Sequence, residues 1–424
     1  MLALKNKQIR VLVFHPMKQH SYKLAEALLE NNMLFSYCTS IYYNPKKVFY
    51  KMLDVILPEK EKKKMRSHSN LELTDYVKTF SSFYGFLYLL VQRIDKTAKF
   101  KFCYKMQDIL SKKMGKKVAK YAIKNNIDII IGYDTWSYGA IKELKKYNSN
   151  IKFIIDYSSL YAERILSIIK NDMKKNPNSK NSYRKSIEKF KTEYMDSFKY
   201  EKDNCDYYIS PSSVVDDSLL KYGVSNDKIY RCTYGTYFEK ANAIKKVRNN
   251  KVIFTYVGRI SYAKGVHYLL DAFNKLERDD YILQLVGANV DNFNLNINSN
   301  IIYLGTKLHS EIPNILLNTD VFVTDSLYDG FSLSILEAFS YNIPAICTNM
   351  TGIKDYIEEE KNGYVVDAAD SKSLIKILNH LLDNKQIIEQ MKNTIKNKQN
   401  EFTWKNYNKD VHNVISNIIN RKEG

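Results

Sequence analysis

Two α/β domains, each a doubly wound parallel sheet and facing one another, are what this 424-residue sequence predicts. Three observations carry that expectation. Twelve short runs are apolar with little alternation, as strands buried on both faces of a parallel sheet must be. Amphipathic stretches separate them, such as Val266, Leu269, Leu270 and Phe273, spaced to share one helix face. A polar, charged segment at 236–250 divides two complete series of such units, giving domains at 1–235 and 251–400 with a linker between.

In the first half the strand candidates are 9–14, 34–39, 127–131, 151–155, 207–210 and 229–233. In the second they are 252–257, 282–286, 301–304, 321–324, 344–348 and 363–366. Two stretches break the rhythm. Residues 42–121 carry no strong strand, only a basic and aromatic helical pattern, and 162–200 is rich in lysine and helix-prone. No solenoid repeat and no low-complexity tract is present beyond an enrichment in lysine and asparagine.

Charge narrows the partners. Lysine and arginine number 65 against 46 acids, a net of +19, which favours an anionic partner: nucleic acid, a negatively charged membrane or a phosphorylated substrate. The five cysteines form no CxxC pair, so a disulfide framework or cysteine zinc site is not expected and a reducing compartment is. The longest uncharged apolar stretch free of interruptions, 79–92, has 14 residues, short of the about 20 needed to span a bilayer. The apolar 11–14 is too short for a signal-peptide core of about 7–15 residues and reads as a first strand. The expectation is a cytoplasmic protein, peripheral on the inner face of a membrane.

Several chemistries are excluded by motif. No two glycines are separated by one residue, so there is no GxGxxG; GxxxxGK[ST] and HExxH are also missing. No Asp-x-Asp occurs, which removes the commonest carboxylate pair for a metal-held nucleotide, and the seven histidines lack ligand spacing. The basic charge comes without a nucleic-acid module, so no nucleic-acid partner is expected.

Two constellations remain. Gly258-Arg259 ends the strand at 252–257, and Lys264-Gly265 opens the helix that follows. Two cations and a helix N-terminus at the C-terminal edge of a parallel sheet make a phosphate site; the alternative is a solvated loop. The second runs from Asp329 through Gly330, Phe331, Ser332 and Leu333 to Glu337. Ser332 is the expected N-cap of a helix burying Leu333, Leu336 and Phe339, and Glu337 lies in that otherwise apolar helix. Ligand hydroxyls would serve as its partner; a salt bridge or an exposed position is the alternative.

Arg259 and Lys264 in GRxxxxKG, followed by Asp-x7-Glu, resemble the retaining GT-B glycosyltransferases of family 4, whose second motif is typically E-x7-E. The resemblance runs from about residue 207 to the end. It includes Tyr208-Ile209-Ser210-Pro211-Ser212, Tyr222-Gly223-Val224, Tyr234-Gly235, Leu304-Gly305, Ile343-Pro344-Ala345, Thr351-Gly352-Ile353 and Phe402-Thr403-Trp404. It implies a GT-B fold, two facing Rossmann-like domains, with a C-terminal helix at 401–424 crossing back to the N-terminal domain. It also implies a nucleotide-diphosphate sugar as donor and no metal or other cofactor. Arg259 and Lys264 would hold the diphosphate. Asp329, Gly258 and the amides of Gly330, Phe331, Ser332 and Leu333 would hold sugar and phosphate, and Glu337 the ribose.

Two departures accompany the resemblance. Asp329 stands where glutamate is usual, shortening the reach by one methylene, about 1.5 Å. The loops after the first and fourth strands lack the family's usual paired glycines and histidines, leaving His15, His20 and Asp134 as acceptor-side candidates or as structural residues. The sequence therefore predicts a retaining, metal-independent transferase acting on a glycan or lipid-linked acceptor in surface polysaccharide synthesis. A GT-B nucleotide-sugar epimerase and a non-catalytic sugar-nucleotide or membrane-glycan binder are the alternatives. Residues 41–120 hold 19 lysines and arginines against seven acids, with Phe49, Tyr50, Phe80, Phe83, Tyr84, Phe86 and Tyr88 interleaved, and are expected to dock on an anionic membrane.

Overall fold

The computed structural model describes residues 8–17, 20–46, 48–56, 58–94, 102–190, 194–237, 251–295, 298–398 and 401–421. Of the expected linker, only Thr236 and Tyr237 fall among them. The first domain holds seven strands: β1 (Val11–Phe14), β2 (Leu34–Thr39), β3 (Val77–Thr79), β4 (Ile129–Tyr133), β5 (Lys152–Asp156), β6 (Tyr207–Ser210) and β7 (Ile229–Arg231). The second holds six: β8 (Val252–Val257), β9 (Tyr281–Val286), β10 (Ile301–Gly305), β11 (Val321–Val323), β12 (Ala345–Thr348) and β13 (Gly363–Val366).

Both sheets are parallel throughout, in the orders β3-β2-β1-β4-β5-β6-β7 and β10-β9-β8-β11-β12-β13. The strand order reverses between β1 and β4 and again between β8 and β11. Loops leave those neighbours in opposite directions and open a crevice at each C-terminal edge. All twelve expected strands are found, with ends shifted by up to two residues. β3 is the correction: it lies inside the stretch expected to have none. Its Val-Lys-Thr sequence is no apolar run because an edge strand leaves Lys78 and Thr79 exposed.

One buried apolar cluster fills the N-terminal sheet and continues into the second domain through Phe331, Ile335, Leu336 and Phe339. The other face of the C-terminal sheet packs a separate cluster beneath the helices Val266–Asn274, Ser371–Asp383 and Lys385–Lys398. All five cysteines are buried.

The helix Trp404–Asn420 crosses back to the first domain. Thr403 caps it by accepting the Asn406 amide, and Thr236 N–H donates to the Phe402 carbonyl at 2.8 Å. Its buried face (Tyr407, Val411, Val414, Ile415, Ile418) joins the N-terminal core beside Leu24, Ala27 and Leu28 of the helix Ser21–Glu30. Ile415 is fully buried and Ile419, one turn on, is 38% exposed. Ile415→Ala should therefore cost about 2–5 kcal/mol in denaturant unfolding, whereas Ile419→Ala should stay within about 0.5 kcal/mol of the parent.

Candidate active site

The turn after β8 is shaped by close backbone approaches. Gly258 N–H donates to the Val286 carbonyl at 2.9 Å, and a Cβ on Gly287 would fall 1.8 Å from the Gly258 oxygen. Arg259 follows, exposed, its carbonyl accepting from the Tyr256 hydroxyl at 2.7 Å. Ser261 caps the 3-10 turn Tyr262–Lys264 through the Lys264 amide. Gly265 then takes φ +64° where any Cβ would sit 1.6 Å from the Asp325 carbonyl oxygen. That glycine lets the turn lie directly on the end of β11, which brings Lys264 to Asp329.

Lys264 Nζ and Asp329 Oδ2 are 2.5 Å apart, both partly exposed, so the two sequence motifs meet in one ion pair. Asp329 is fixed by its backbone: its N–H donates to the Met350 carbonyl and its own carbonyl accepts from Gly352, each at 3.0 Å. Its Oδ1 accepts the Phe331 amide at 3.3 Å. The Arg259 charge acts on Tyr256 and Tyr328, the two phenols that also feel Asp329.

The helix Leu333–Ser340 begins without a side-chain cap, which corrects the role expected of Ser332. Ser332 occupies the cap position, but its hydroxyl meets Ser334 at 3.1 Å instead. The first amides of this helix are thus not capped by a Ser332 side chain. Leu333 is the second correction: it is 40% exposed, not on the buried face, which is Ile335, Leu336, Ala338 and Phe339. Leu333 and Glu337 are four residues apart and share a face. That face looks into a cleft of about 430 Å³ bordered also by His309, Ile312, Tyr237 and Trp404. Burial pushes the Glu337 carboxyl above its ordinary range, and the nearby His309 opposes that. Beneath this layer Asp325 is fully buried. Its carboxyl is pushed up to about 8, by burial first and the Asp370 charge second.

The N-terminal domain meets this loop. Ser212 Oγ donates to the Gly330 carbonyl at 2.6 Å, and a Cβ on Gly330 would lie 2.1 Å from the Ser158 oxygen. The Tyr234 ring packs edge-on against Phe331, with centroids 5.5 Å apart. Behind Tyr234 the acceptor-side candidates come together. His15 and His20 each contact the Tyr133 ring, at 5.2 and 5.1 Å. His15 is buried and neutral: burial pushes its pKa down to about 3, and the Met17 amide donates to Nδ1 at 3.0 Å. His20 Nε2 lies 3.4 Å from Asp156, a fully buried residue that was not among the expected site residues. Both Asp156 oxygens and the hydroxyls of Tyr133, Tyr234 and Tyr407 lack a hydrogen-bond partner among the described residues. Asp134 directly follows Tyr133, and its charge acts on Tyr234 of that cluster as well as on Glu201. Glu201 was also missed, and it accepts the Thr135, Ser137 and Tyr138 amides at 2.8 Å each. Neither acid has a local signal, because each finds its partners far along the chain.

A second contact closes the domains against each other. Asp172, on the helix Ala162–Lys175, accepts from His267 Nε2 (3.1 Å), the Tyr268 hydroxyl (2.9 Å) and the Tyr183 hydroxyl (2.8 Å). Burial raises its pKa, but these bonds outweigh it and hold the carboxyl below its ordinary range. His267 and Tyr268 directly follow Lys264, Gly265 and Val266.

Residues 238–401 match the family model described as glycosyl transferases group 1. The Escherichia coli UDP-Gal:alpha-D-GlcNAc-diphosphoundecaprenol alpha-1,3-galactosyltransferase is 30% identical over 200 residues, 44% of this chain and 50% of that protein. The chain thus spans about half the length of that curated relative. A glycosyltransferase structure from Rickettsia africae superposes with a TM-score of 0.62 at 19% identity, covering 98% of this chain and 100% of that one. The Anabaena Alr3699/HepE structure, in complex with UDP, gives 0.61 at 14% identity over 96% and 100%. The architecture is GT-B, and the resemblance to GT-B glycosyltransferases read from the motifs is matched over residues 238–401 by the group 1 glycosyl transferases.

Gly330 is a point of close backbone approach between the two domains. Gly330→Ala should force the loop from Ser158 at a cost of about 1–3 kcal/mol. The chain should keep its circular dichroism and show a larger radius of gyration in small-angle scattering; unchanged dimensions would mean that the contact does not set the cleft.

Proposed function

We propose that this chain, whose residues 238–401 match the group 1 glycosyl transferases, is a family 4-like, retaining, metal-independent hexosyltransferase. It moves a sugar from a nucleotide-diphosphate donor to a glycan or lipid-linked acceptor in surface polysaccharide synthesis. It works in the cytoplasm, peripheral on an anionic membrane. The observation that carries this reading is the Lys264–Asp329 pair at the uncapped start of the helix that bears Glu337. In this reading a diphosphate would lie between Lys264, Arg259 and the helix N-terminus, with the nucleoside reaching Glu337, which lines the cleft beside Leu333 and Trp404. The relative with a UDP-Gal donor and a diphosphoundecaprenol acceptor supports the same class of substrates.

In this reading the bond from the anomeric carbon to the diphosphate oxygen breaks as the acceptor oxygen bonds to the same face. The leaving phosphate oxygen takes the acceptor proton. Arg259 and Lys264 stabilise the charge that grows on the leaving group, and no metal is called for. Asp329 holds the donor sugar while its partner Lys264 turns to phosphate. His15, His20 and Asp134 lie on the acceptor side. A product with a new glycosidic linkage separates this reading from an epimerase, and donor hydrolysis without acceptor separates it from a binding protein.

Lys264→Ala should lower turnover by about 10²–10³ with the fold intact. Steady-state kinetics on a chemistry-limited substrate checks this, and near-normal turnover would sink the assignment. Activity should persist in excess chelator, and NMR of the product should find the donor's anomeric configuration kept. Glu337 accepts ribose hydroxyls more strongly as a carboxylate than as a neutral acid, and its raised pKa brings protonation in at a higher pH than for an exposed glutamate. Donor affinity measured by calorimetry should therefore weaken as the pH falls from neutral. Glu337→Gln should weaken donor binding and flatten that profile.

A further inference from the structure

Two helices of the N-terminal domain present apolar faces that nothing covers among the described residues. On the helix Val48–Ile56, Val48, Met52, Val55 and Ile56 are 58–83% exposed. On the helix Ser82–Ile94, Phe83, Phe86, Leu90 and Ile94 are 50–74% exposed. Spacings of three and four, with Val55 and Ile56 adjacent, put each set on one side of its helix. The opposite sides are anchored to the strap that leaves β2. Gly85 packs on Ser40 and Ile41, and the Tyr50 ring lies 5.3 Å from Tyr43, whose hydroxyl bonds Asp54. Tyr88, named with the insertable aromatics, is 7% exposed and packs on Trp136, so it belongs to the core. Soluble chains seldom leave such faces bare without a use for them.

We propose that these two faces insert together at the headgroup–acyl boundary of an anionic bilayer, with the neighbouring lysines on the lipid phosphates. Charge selects this occupant over a second copy of the chain. Residues 41–120 carry a net of +12, which repels a like surface and complements an anionic one. Lys113 reaches over the Tyr84 ring at 5.6 Å, and Lys112, Lys116 and Lys117 are exposed on the same helix, Phe102–Lys124. Attachment therefore has two parts: a salt-sensitive one from lysines and a salt-resistant one from buried apolar area. The helices follow β2 and β3 at their C-terminal ends, on the sheet edge that also carries His15, His20 and Asp156. A lipid-linked acceptor held in that bilayer would reach the cleft from the correct side. This deepens the membrane reading above and rests on it for the lipid.

The test is sedimentation of the full chain with phosphatidylcholine vesicles with and without phosphatidylglycerol, in low and high salt. The parent should bind the anionic vesicles and keep part of that binding in high salt. The triple variant Phe83→Ser, Phe86→Ser, Leu90→Ser changes only exposed side chains, so it should keep its fold and its donor hydrolysis. It should lose the salt-resistant part, with partitioning down by about 100-fold. A variant at Lys112, Lys113, Lys116 and Lys117, each to Gln, should lose only the salt-sensitive part. Fully salt-reversible binding that the triple variant leaves unchanged would overturn insertion while keeping electrostatic docking. No binding by the parent would overturn both. A concentration-dependent dimer abolished by the triple variant, with vesicle binding unaltered, would assign the faces to self-association instead. Loss of donor turnover in the parent would count against the transferase reading alone.

Discussion

The close approach of the Gly330 backbone to the first domain is the constraint on which the rest of the cleft depends. The missing side chain of Gly330 admits the Ser158 backbone, while its carbonyl oxygen accepts from the Ser212 hydroxyl and lies where a Cβ on Gly352 would fall. The contact sets the loop that carries Asp329, and with it the partner of Lys264. It also seats Phe331 against Tyr234, so the two sheets present their C-terminal edges to one another across a fixed gap. The Asp172 cluster does the same work farther out. There a buried carboxylate of the first domain binds His267 and Tyr268, just after the turn that carries Lys264.

The fold was legible where burial writes itself into short runs. Strands such as β1 and β4, covered on both faces, have no polar residue to hide the pattern. β3 escaped because an edge strand of three residues can be half polar. The Lys264–Asp329 pairing was legible because its groups sit within two short segments, one turn and one loop before a helix. The face of the helix Leu333–Ser340 was misjudged for a related reason. Apolar residues at its start looked like core, but the cleft itself needs an apolar wall, and Leu333 supplies it beside Glu337.

The histidine cluster was legible only in part. His15 and His20 stand out in a first-strand loop, yet the carboxylate beside His20 is Asp156, more than 130 residues away in sequence. Glu201 orders the loop after β4 from a helix whose sequence is ordinary and polar. Both acids depend on contacts made only when β4, β5 and their helices assemble. The carboxylate of Asp156, ringed by Tyr133, Tyr234 and Tyr407, is a group that hydration or a bound hydroxyl would satisfy.

The crossing helix also bears on how the chain is made. Tyr407, Val411 and Ile415 complete a core whose other members are synthesised first. A ribosome delivers the N-terminal sheet long before the residues that seal one side of it. Until they emerge, Leu24, Ala27 and Leu28 face solvent or a chaperone, and the nascent first domain stays short of its final stability. The second domain meanwhile has its own separate cluster and can collapse as soon as its last strand and helices are out. The order of synthesis and the order of final consolidation are thus partly reversed in this chain.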